Sequence, residues 1–199
     1  MYNYANDDRA DHIILVSRSE DKDGSVKSDA VLELLERKED TGRAMADPSG
    51  ILTRIFECKA YIGKNGLGKT REGDGKTPLG AFGIVTAFGI KDNPGTSLPY
   101  IRIDEHTYCC TEGLYYNRII DERNISVKPK GEHMIEFVPE YNYGIFLDYN
   151  IRCARGKGSA IFMHCMGDKP YTEGCIAVPE NAMRLILRRL TAASRIEIF

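Results

Sequence analysis

Only one long segment of this chain has the apolar periodicity of an amphipathic helix, and this restricts the fold more than any other feature. Within residues 179–193, Met183, Ile186, Leu187 and Leu190 recur at the spacing that places apolar side chains on one helical face. Elsewhere the apolar runs are short, rich in β-branched and aromatic residues, and separated by turns that contain glycine or proline. The sequence therefore predicts a mostly β protein, a β-rich α+β fold with one C-terminal helix.

Short strands are predicted along most of the remaining chain, and its 199 residues suit a single domain. Strands are expected at residues 11–17, 51–62, 81–90, 100–103, 134–138, 143–149, 159–163 and 195–199. Residues 30–38 fit a strand or a turn of helix equally well. The strand at 159–163 would deliver His164 at its end. We expect residues 1–10 to be disordered or added for expression, and residues 11–199 to form the domain.

Charge and hydropathy exclude several classes of function. The chain has 27 Lys and Arg against 29 Asp and Glu, scattered along its length, whereas binding to nucleic acid requires a concentrated basic face. No stretch approaches the roughly 20 apolar residues of a membrane helix, so no membrane insertion is expected. The N-terminus has no basic start followed by an apolar run, which is the pattern of a signal peptide.

A glycine-rich segment matches the phosphate-binding loop of nucleotide-binding proteins. Gly63–Thr70, GKNGLGKT, fits the pattern G-x-x-x-x-G-K-[ST]. That chemistry requires a helix directly after the Lys-Thr, whose N–H groups face the phosphates. Gly73, Gly75 and Pro78 make a helix there unfavourable. We interpret the segment as a loop and expect no nucleotide partner.

His164 and Cys175 are candidates for nucleophilic catalysis. An imidazole can accept the proton of a cysteine thiol and stabilise the thiolate as an ion pair. Gly174, directly before the cysteine, permits the tight backbone that directs consecutive N–H groups at one oxyanion. On these residues alone, a buried core cysteine with an unrelated histidine remains the favoured interpretation.

A metal site is the third alternative. Cys153, His164, Cys165 and Cys175 are residue types that zinc prefers, but they lack the closely spaced pairs of structural zinc sites. His164 and Cys165, being adjacent, would point to opposite faces of a strand. We therefore predict no metal and no cofactor.

Two segments resemble a known family. SAIFMHCMGDKPYTEGCIAVPE (159–180) and EGDGKTPLGAFGI (72–84) are similar to the active-site signature of L,D-transpeptidase (YkuD-like) catalytic domains. The resemblance extends over roughly residues 50–199, and it implies a capped β-sandwich in which one helix follows the catalytic cysteine.

The resemblance also implies an activity. The family attacks the bond between the third residue of a peptidoglycan stem tetrapeptide and D-Ala, forms a thioester on cysteine, and passes the acyl group to an amine, giving a 3-3 type cross-link or an anchored amine. It implies an extracytoplasmic location, in the cell wall or periplasm, with any leader absent from this sequence. It also implies covalent reaction with carbapenems.

The resemblance assigns roles to individual residues. Cys175 corresponds to the nucleophile and His164 to its proton partner, whose imidazole is held by the carbonyl of Cys165. The N–H groups of Gly174 and Cys175 correspond to the oxyanion donors. Thr172 occupies the [ST] position of the signature and would orient the loop.

Further substrate contacts are predicted at the mouth of the site. The residues predicted to contact substrate are Thr172, Glu173, Tyr116 and His133. Tyr116 and His133 are included because polar, tyrosine-bearing segments often line the clefts of β-rich enzymes.

The sequence departs from the family pattern beside the cysteine. Glu173 and Ala177 stand where the family often has His and Arg or Asn, and the loop from His164 to Cys175 is short. These departures leave two alternatives open besides transfer. One is an L,D-carboxypeptidase or amidase that delivers the thioester to water, and the other is a non-catalytic cell-wall binding module.

Overall fold

The computed structural model describes residues 10–19, 28–38 and 51–199, which form twelve strands and one α-helix. The strands are β1 (His12–Arg18), β2 (Asp29–Lys38), β3 (Ile51–Tyr61), β4 (Gly80–Gly89), β5 (Tyr100–Arg102), β6 (Thr107–Cys110), β7 (Arg118–Asp121), β8 (Gly131–His133), β9 (Gly144–Leu147), β10 (Phe162–Cys165), β11 (Ile176–Val178) and β12 (Arg195–Ile198). The helix α1 (Glu180–Arg189) begins after Pro179 and ends with two arginines, which suit the negative end of the helix dipole. The predicted mostly β fold with one helix after Cys175 is confirmed.

The main sheet closes on itself. Its strands follow the order β12-β1-β2-β3-β11-β10-β9-β4-β5, and β12 also pairs with β4. Because β12 lies parallel to β1 on one side and antiparallel to β4 on the other, eight strands form a ring and β5 is added beside β4. The sandwich part of the fold prediction is not confirmed, since this is one closed sheet.

The helix packs against the main apolar core that the closed sheet forms. Alternate residues of a strand point to opposite faces, so Ile161, Met163 and Cys165 reach this core, whereas Phe162 and His164 point away from it. On α1, Met183 and Ile186 belong to the same core, as the predicted apolar face requires.

A second, smaller sheet covers the outer face of β10. Strands β7, β6 and β8 form it in that order, all antiparallel, and we call it the cap. Phe88, Phe162 and Tyr141 pack edge to face between the cap and the closed sheet, with ring centroids 5.0–5.6 Å apart. Some residues of this second core also line the cavity described below.

One open alternative is resolved, and two predicted strands differ from the structure. The strand predicted at 159–163 begins only at Phe162 and extends to Cys165, so it contains His164. Residues 30–38, which fitted helix or strand, form β2, which pairs with both β1 and β3. The strand predicted at 134–138 is wrong, because Met134–Glu136 form a 3-10 helix. That helix turns Met134 and Phe137, three residues apart, to the second core, which a strand of alternating faces would not do.

The remaining features of the described chain are its N-terminus, its cysteine thiols and the length of its helices. The disordered N-terminus predicted for residues 1–10 lies outside the described residues, except for Ala10, which is buried. All six cysteines have free thiols. Within the described ranges, no helix is long and apolar enough to cross a membrane.

Candidate active site

Parallel pairing of β10 with β11 brings His164 and Cys175 to one side of the closed sheet. His164 is in register with Ala177. Cys175 precedes Ala177 by two residues and shares its face, since side chains alternate along an extended chain. Neighbouring strands lie about 4.8 Å apart, so the two side chains are diagonal neighbours on the face that carries the cap.

Both side chains line one cavity of about 160 Å³. The other residues that line it are Glu132, Phe137, Glu140, Tyr141, Gly167, Lys169, Tyr171, Thr172, Glu173 and Ala177. Three of these are carboxylates and one is an amine, so the wall of the cavity is predominantly acidic.

His164 is held in a defined orientation and tautomer. Its Nδ1 lies 2.8 Å from the carbonyl oxygen of Cys165, and because a carbonyl only accepts hydrogen bonds, Nδ1 carries the proton. Nε2 of the neutral ring is therefore the basic nitrogen. The ring of Tyr141 packs edge-on against the imidazole at 5.7 Å. The structure thus gives Cys165 the carbonyl contact predicted for it.

Burial favours the neutral imidazole. His164 is almost fully buried, and desolvation lowers its pKa below the ordinary histidine value, although the carbonyl of Cys165 and the charge of Glu140 act in the opposite direction. A neutral ring at pH 7 is ready to accept a proton.

Cys175 is a neutral thiol in this structure. Its Sγ donates a hydrogen bond to the carbonyl of Ala160 at 3.1 Å and accepts one from the N–H of Phe162 at 3.4 Å. Burial raises the pKa of Cys175 to about 12, the N–H of Phe162 lowers it, Glu132 raises it further, and Lys69 lowers it. The resting pair is thus a thiol and an imidazole, rather than the ion pair expected from the sequence.

A threonine braces the nucleophile loop. The hydroxyl of Thr172 donates to the carbonyl of Cys175 at 2.7 Å and accepts from the N–H of Gly174 at 3.1 Å. Thr77, from the glycine-rich loop, donates to the same carbonyl at 3.1 Å. Thr172 lines the cavity, but its hydroxyl is used within the loop. The [ST]-x-G-C spacing folds the chain into this turn.

The hydrogen bonding separates the two predicted oxyanion donors. Gly174 N–H donates to Thr172. Cys175 N–H has no acceptor among the described residues, so it is free to donate to an oxyanion bound beside Sγ. In this structure the Gly174 N–H is therefore already bonded within the loop, and the oxyanion roles of both N–H groups stay a prediction.

We expect Thr172→Val to destabilise this loop. The substitution keeps the shape of the side chain but leaves the buried N–H of Gly174 without its acceptor, which costs about 1–3 kcal/mol of folding free energy. Urea denaturation measures this loss, and Thr172→Ser, which keeps the hydroxyl, serves as the control. A Val variant as stable as the Ser variant would show that the hydrogen bond between Gly174 and Thr172 contributes nothing to folding stability.

The remaining predicted substrate contacts lie in different places. Glu173 is exposed at the cavity mouth and forms a 2.7 Å ion pair with Lys64. Tyr116 does not line the cavity, because its hydroxyl turns away to donate to Glu72 at 2.6 Å and to accept from the N–H of Gly158 at 3.1 Å.

His133 also lies outside the cavity. It ends β8 in the cap, and its ring nitrogens contact Glu136 Oε1 at 2.9 Å and the carbonyl of Glu105 at 2.7 Å. Its ring stacks on Tyr108. Both ring nitrogens are thus engaged in holding the cap together, and the structure does not bring His133 to His164.

The structure adds cavity residues that the sequence did not indicate. The Tyr141 hydroxyl donates to Glu132 Oε2 at 2.6 Å. Burial raises the pKa of Glu132 above the ordinary glutamate value, partly offset by this hydrogen bond. Glu132 and Tyr141 lie on either side of residues 134–138, which were predicted to form a strand, and no sequence pattern marks either of them.

The four residues considered as zinc ligands do not converge. Cys165 points into the main core, on the opposite face of β10 from His164. Cys153 lies in the turn that precedes Gly158, where its thiol contacts the carbonyl of Ile151.

The glycine-rich segment 63–70 is followed by turns and not by a helix through residue 79, so it lacks the helix N-terminus of a phosphate-binding loop.

Comparison with known proteins identifies the family of this chain. The family model of the L,D-transpeptidase catalytic domain, YkuD, matches residues 51–198, most of the chain. The chain belongs to the YkuD family. The match includes both His164 on β10 and Cys175 just before β11, and it confirms the family resemblance found in the two sequence segments.

A solved structure with low sequence identity is also similar to this chain. It is a mutant of the helical cell shape determining protein Pgp2 from Campylobacter jejuni, with a TM-score of 0.47 and 18% sequence identity. The match covers 98% of this chain and 48% of the Pgp2 chain, so this chain spans about half the length of that one. No curated protein is significantly similar to this chain in sequence.

Proposed function

We propose that this YkuD-family domain is a cysteine-dependent L,D-transpeptidase that acts on peptidoglycan stem tetrapeptides outside the cytoplasm. The observation that carries the proposal is one cavity lined by both a cysteine thiol and an imidazole, the imidazole being held through Nδ1 with Nε2 unprotonated. Family membership supplies the substrate class. Residues 11–199 are proposed to form the single catalytic domain.

The first half of the reaction makes a thioester. His164 Nε2 takes the thiol proton as Cys175 Sγ attacks the carbonyl carbon that precedes D-Ala, and the N–H of Cys175 donates to the oxyanion. When the C–N bond breaks, the imidazolium returns this proton to the departing amine of D-Ala. Because the resting thiol is neutral, deprotonation accompanies attack instead of preceding it.

The second half transfers the acyl group. An amine from another stem attacks the thioester carbonyl and gives up a proton to His164. As the C–S bond breaks, the imidazolium returns this proton to the sulfur and restores the thiol. The product is a 3-3 type cross-link or an anchored amine. Carboxylates outnumber amines in the wall of the cavity, where Glu132, Glu140 and Glu173 stand against Lys169, and this supports an amine rather than an anionic acceptor.

The experiment follows the products of a purified stem tetrapeptide by mass spectrometry, with and without an added stem amine. Transpeptidation predicts a cross-linked dimer and released D-Ala, both lost in Cys175→Ala. Tripeptide and D-Ala without dimer would instead support an L,D-carboxypeptidase. No release of D-Ala by the wild-type protein would contradict both and favour a non-catalytic binding module.

We expect the alkylation rate of Cys175 to rise steadily with pH. A thiol whose pKa is raised to about 12 is protonated at neutral pH, and its thiolate fraction increases about tenfold for each pH unit below the pKa. Iodoacetamide labelling, followed by peptide mapping between pH 6.5 and 9.5, measures this slope. A plateau that begins below pH 8 would show a pre-formed ion pair with His164 instead.

A further inference from the structure

The glycine-rich segment that imitates a phosphate-binding loop contains a lysine that the proposed function leaves unexplained. The side chain of Lys69 is 2% exposed, and its ammonium group forms an ion pair of 2.9 Å with Asp74, whose side chain is 7% exposed. Burying two charges costs free energy that an exposed pair would not incur, and this loop lies at the surface of a small domain. A buried pair here therefore suggests a use beyond stability.

Asp74 holds the lysine in place. Its carboxylate accepts from the backbone N–H groups of Thr70, Arg71 and Lys76, at 2.8–3.1 Å, in addition to Lys69. Burial alone would raise the pKa of Asp74, but these N–H groups and the ammonium hold it well below its ordinary value. The carboxylate is thus a fixed anchor for Lys69.

The lysine side chain lies close to two glycines, Gly158 and Gly174, the second of which directly precedes Cys175. A Cβ on Gly158 would lie 2.6 Å from Lys69 Cε, and a Cβ on Gly174 would lie 3.3 Å from Lys69 Nζ. Both glycines have positive φ, +113° and +149°, so a side chain at either position is disfavoured in conformation as well as in space. The ammonium group of Lys69 therefore lies next to Gly174, on the side where a Cβ would project.

We propose that Lys69 is a positioning residue of the active site, whose anchored ammonium lies behind Gly174 and stabilises negative charge on Cys175 Sγ during attack. The inference rests on the proposed function and adds a charged group to the pair formed by His164 and Cys175. The other titratable groups around Sγ are His164, Glu132, Tyr141 and Cys109. Of the two charged side chains that shift the pKa of Cys175, Glu132 and Lys69, Lys69 is the cation, and it opposes both the burial of Sγ and the charge of Glu132.

The test is the rate at which iodoacetamide alkylates Cys175 at pH 8, resolved by peptide mapping, in Lys69→Met. Loss of a nearby cation raises the pKa of the thiol, while the higher basicity of the remaining thiolate offsets part of the loss in rate. We expect alkylation to slow by about three- to tenfold. Lys59→Met, which removes an exposed ion pair with Asp29, is the matched control and should keep the wild-type rate.

The double variant Lys69→Met/Asp74→Asn separates charge from structure. It removes both buried charges, so it avoids the unpaired carboxylate of the single variant, and it decides the question if the single variant fails to fold. Alkylation of the double variant as slow as predicted for Lys69→Met supports the proposal. Recovery of the wild-type rate would overturn it, because Lys69 would then serve only to neutralise Asp74.

These outcomes are independent of transpeptidase activity, because alkylation requires no stem peptide. A protein that shows Lys69-dependent alkylation but releases no D-Ala would refute the proposed function alone. A protein that forms cross-links but whose Lys69→Met and double variants alkylate at the wild-type rate would refute the role of Lys69 alone.

Discussion

His164→Gln is expected to slow acylation of Cys175 by about 10²- to 10⁴-fold, the range typical of a lost general base. Glutamine keeps a polar side chain on β10 but has no nitrogen that accepts a proton at neutral pH. The thiol pKa, raised to about 12, makes this loss severe, since the remaining thiolate is scarce without a base. The expected effect is therefore larger than for a cysteine that is ionised at rest.

The measurement is the rate of acyl-enzyme formation by intact mass, with a carbapenem as the acyl donor. His133→Gln is the matched control, because this histidine lies in the cap and contacts Glu136 and Glu105, away from the cavity. Its acylation rate should remain within about twofold of wild type, as for substitutions that leave the reacting groups intact. A His164→Gln protein that acylates at the control rate would refute the role of His164.

Phe88→Ala is expected to lower the free energy of unfolding by about 3–5 kcal/mol. Phe88 is fully buried, and its ring packs edge to face on Phe162 and Tyr141, 5.0 and 5.6 Å away between centroids. The substitution opens a cavity where the closed sheet meets the cap. Since Tyr141 also packs on His164, we expect the site to loosen together with the core.

Urea denaturation measures this effect. Leu114→Ala, at a position that is 72% exposed, is the control and should change stability by less than about 0.5 kcal/mol. Phe88→Leu, which retains most of the buried apolar volume, should lie between the two. A loss in Phe88→Ala no larger than in the exposed control would mean that the second core does not hold the cap.

Local patterns predicted the elements of this fold better than their arrangement. The helix α1 follows from the spacing of Met183 and Ile186, and β12 follows from alternation in residues 195–198. Closure of the sheet does not follow from local patterns, because it depends on β12 pairing with both β1 and β4, strands that are distant in sequence. A sandwich and a ring of the same strands have the same local pattern.

In the candidate site, too, local patterns identified some residues, whereas the positions of others depend on the folded structure. His164 and Cys175 were found because each lies in a short motif, and the pairing of β10 with β11 accounts for their shared face. Tyr116 was selected by residue type alone, and its hydroxyl is committed to Glu72. Lys69 was visible only as part of a misleading motif, because its ammonium group comes close to Gly174 only after the chain has folded.

The most direct test of the account is intact mass after incubation with a carbapenem, comparing the wild type with Cys175→Ala. The account predicts one covalent adduct on the wild-type protein, mapped to Cys175, and none on the variant. An adduct that persists in Cys175→Ala would show that another cysteine is the nucleophile. No adduct on either protein would contradict the claim that the cavity around His164 and Cys175 is an acyl-transfer site.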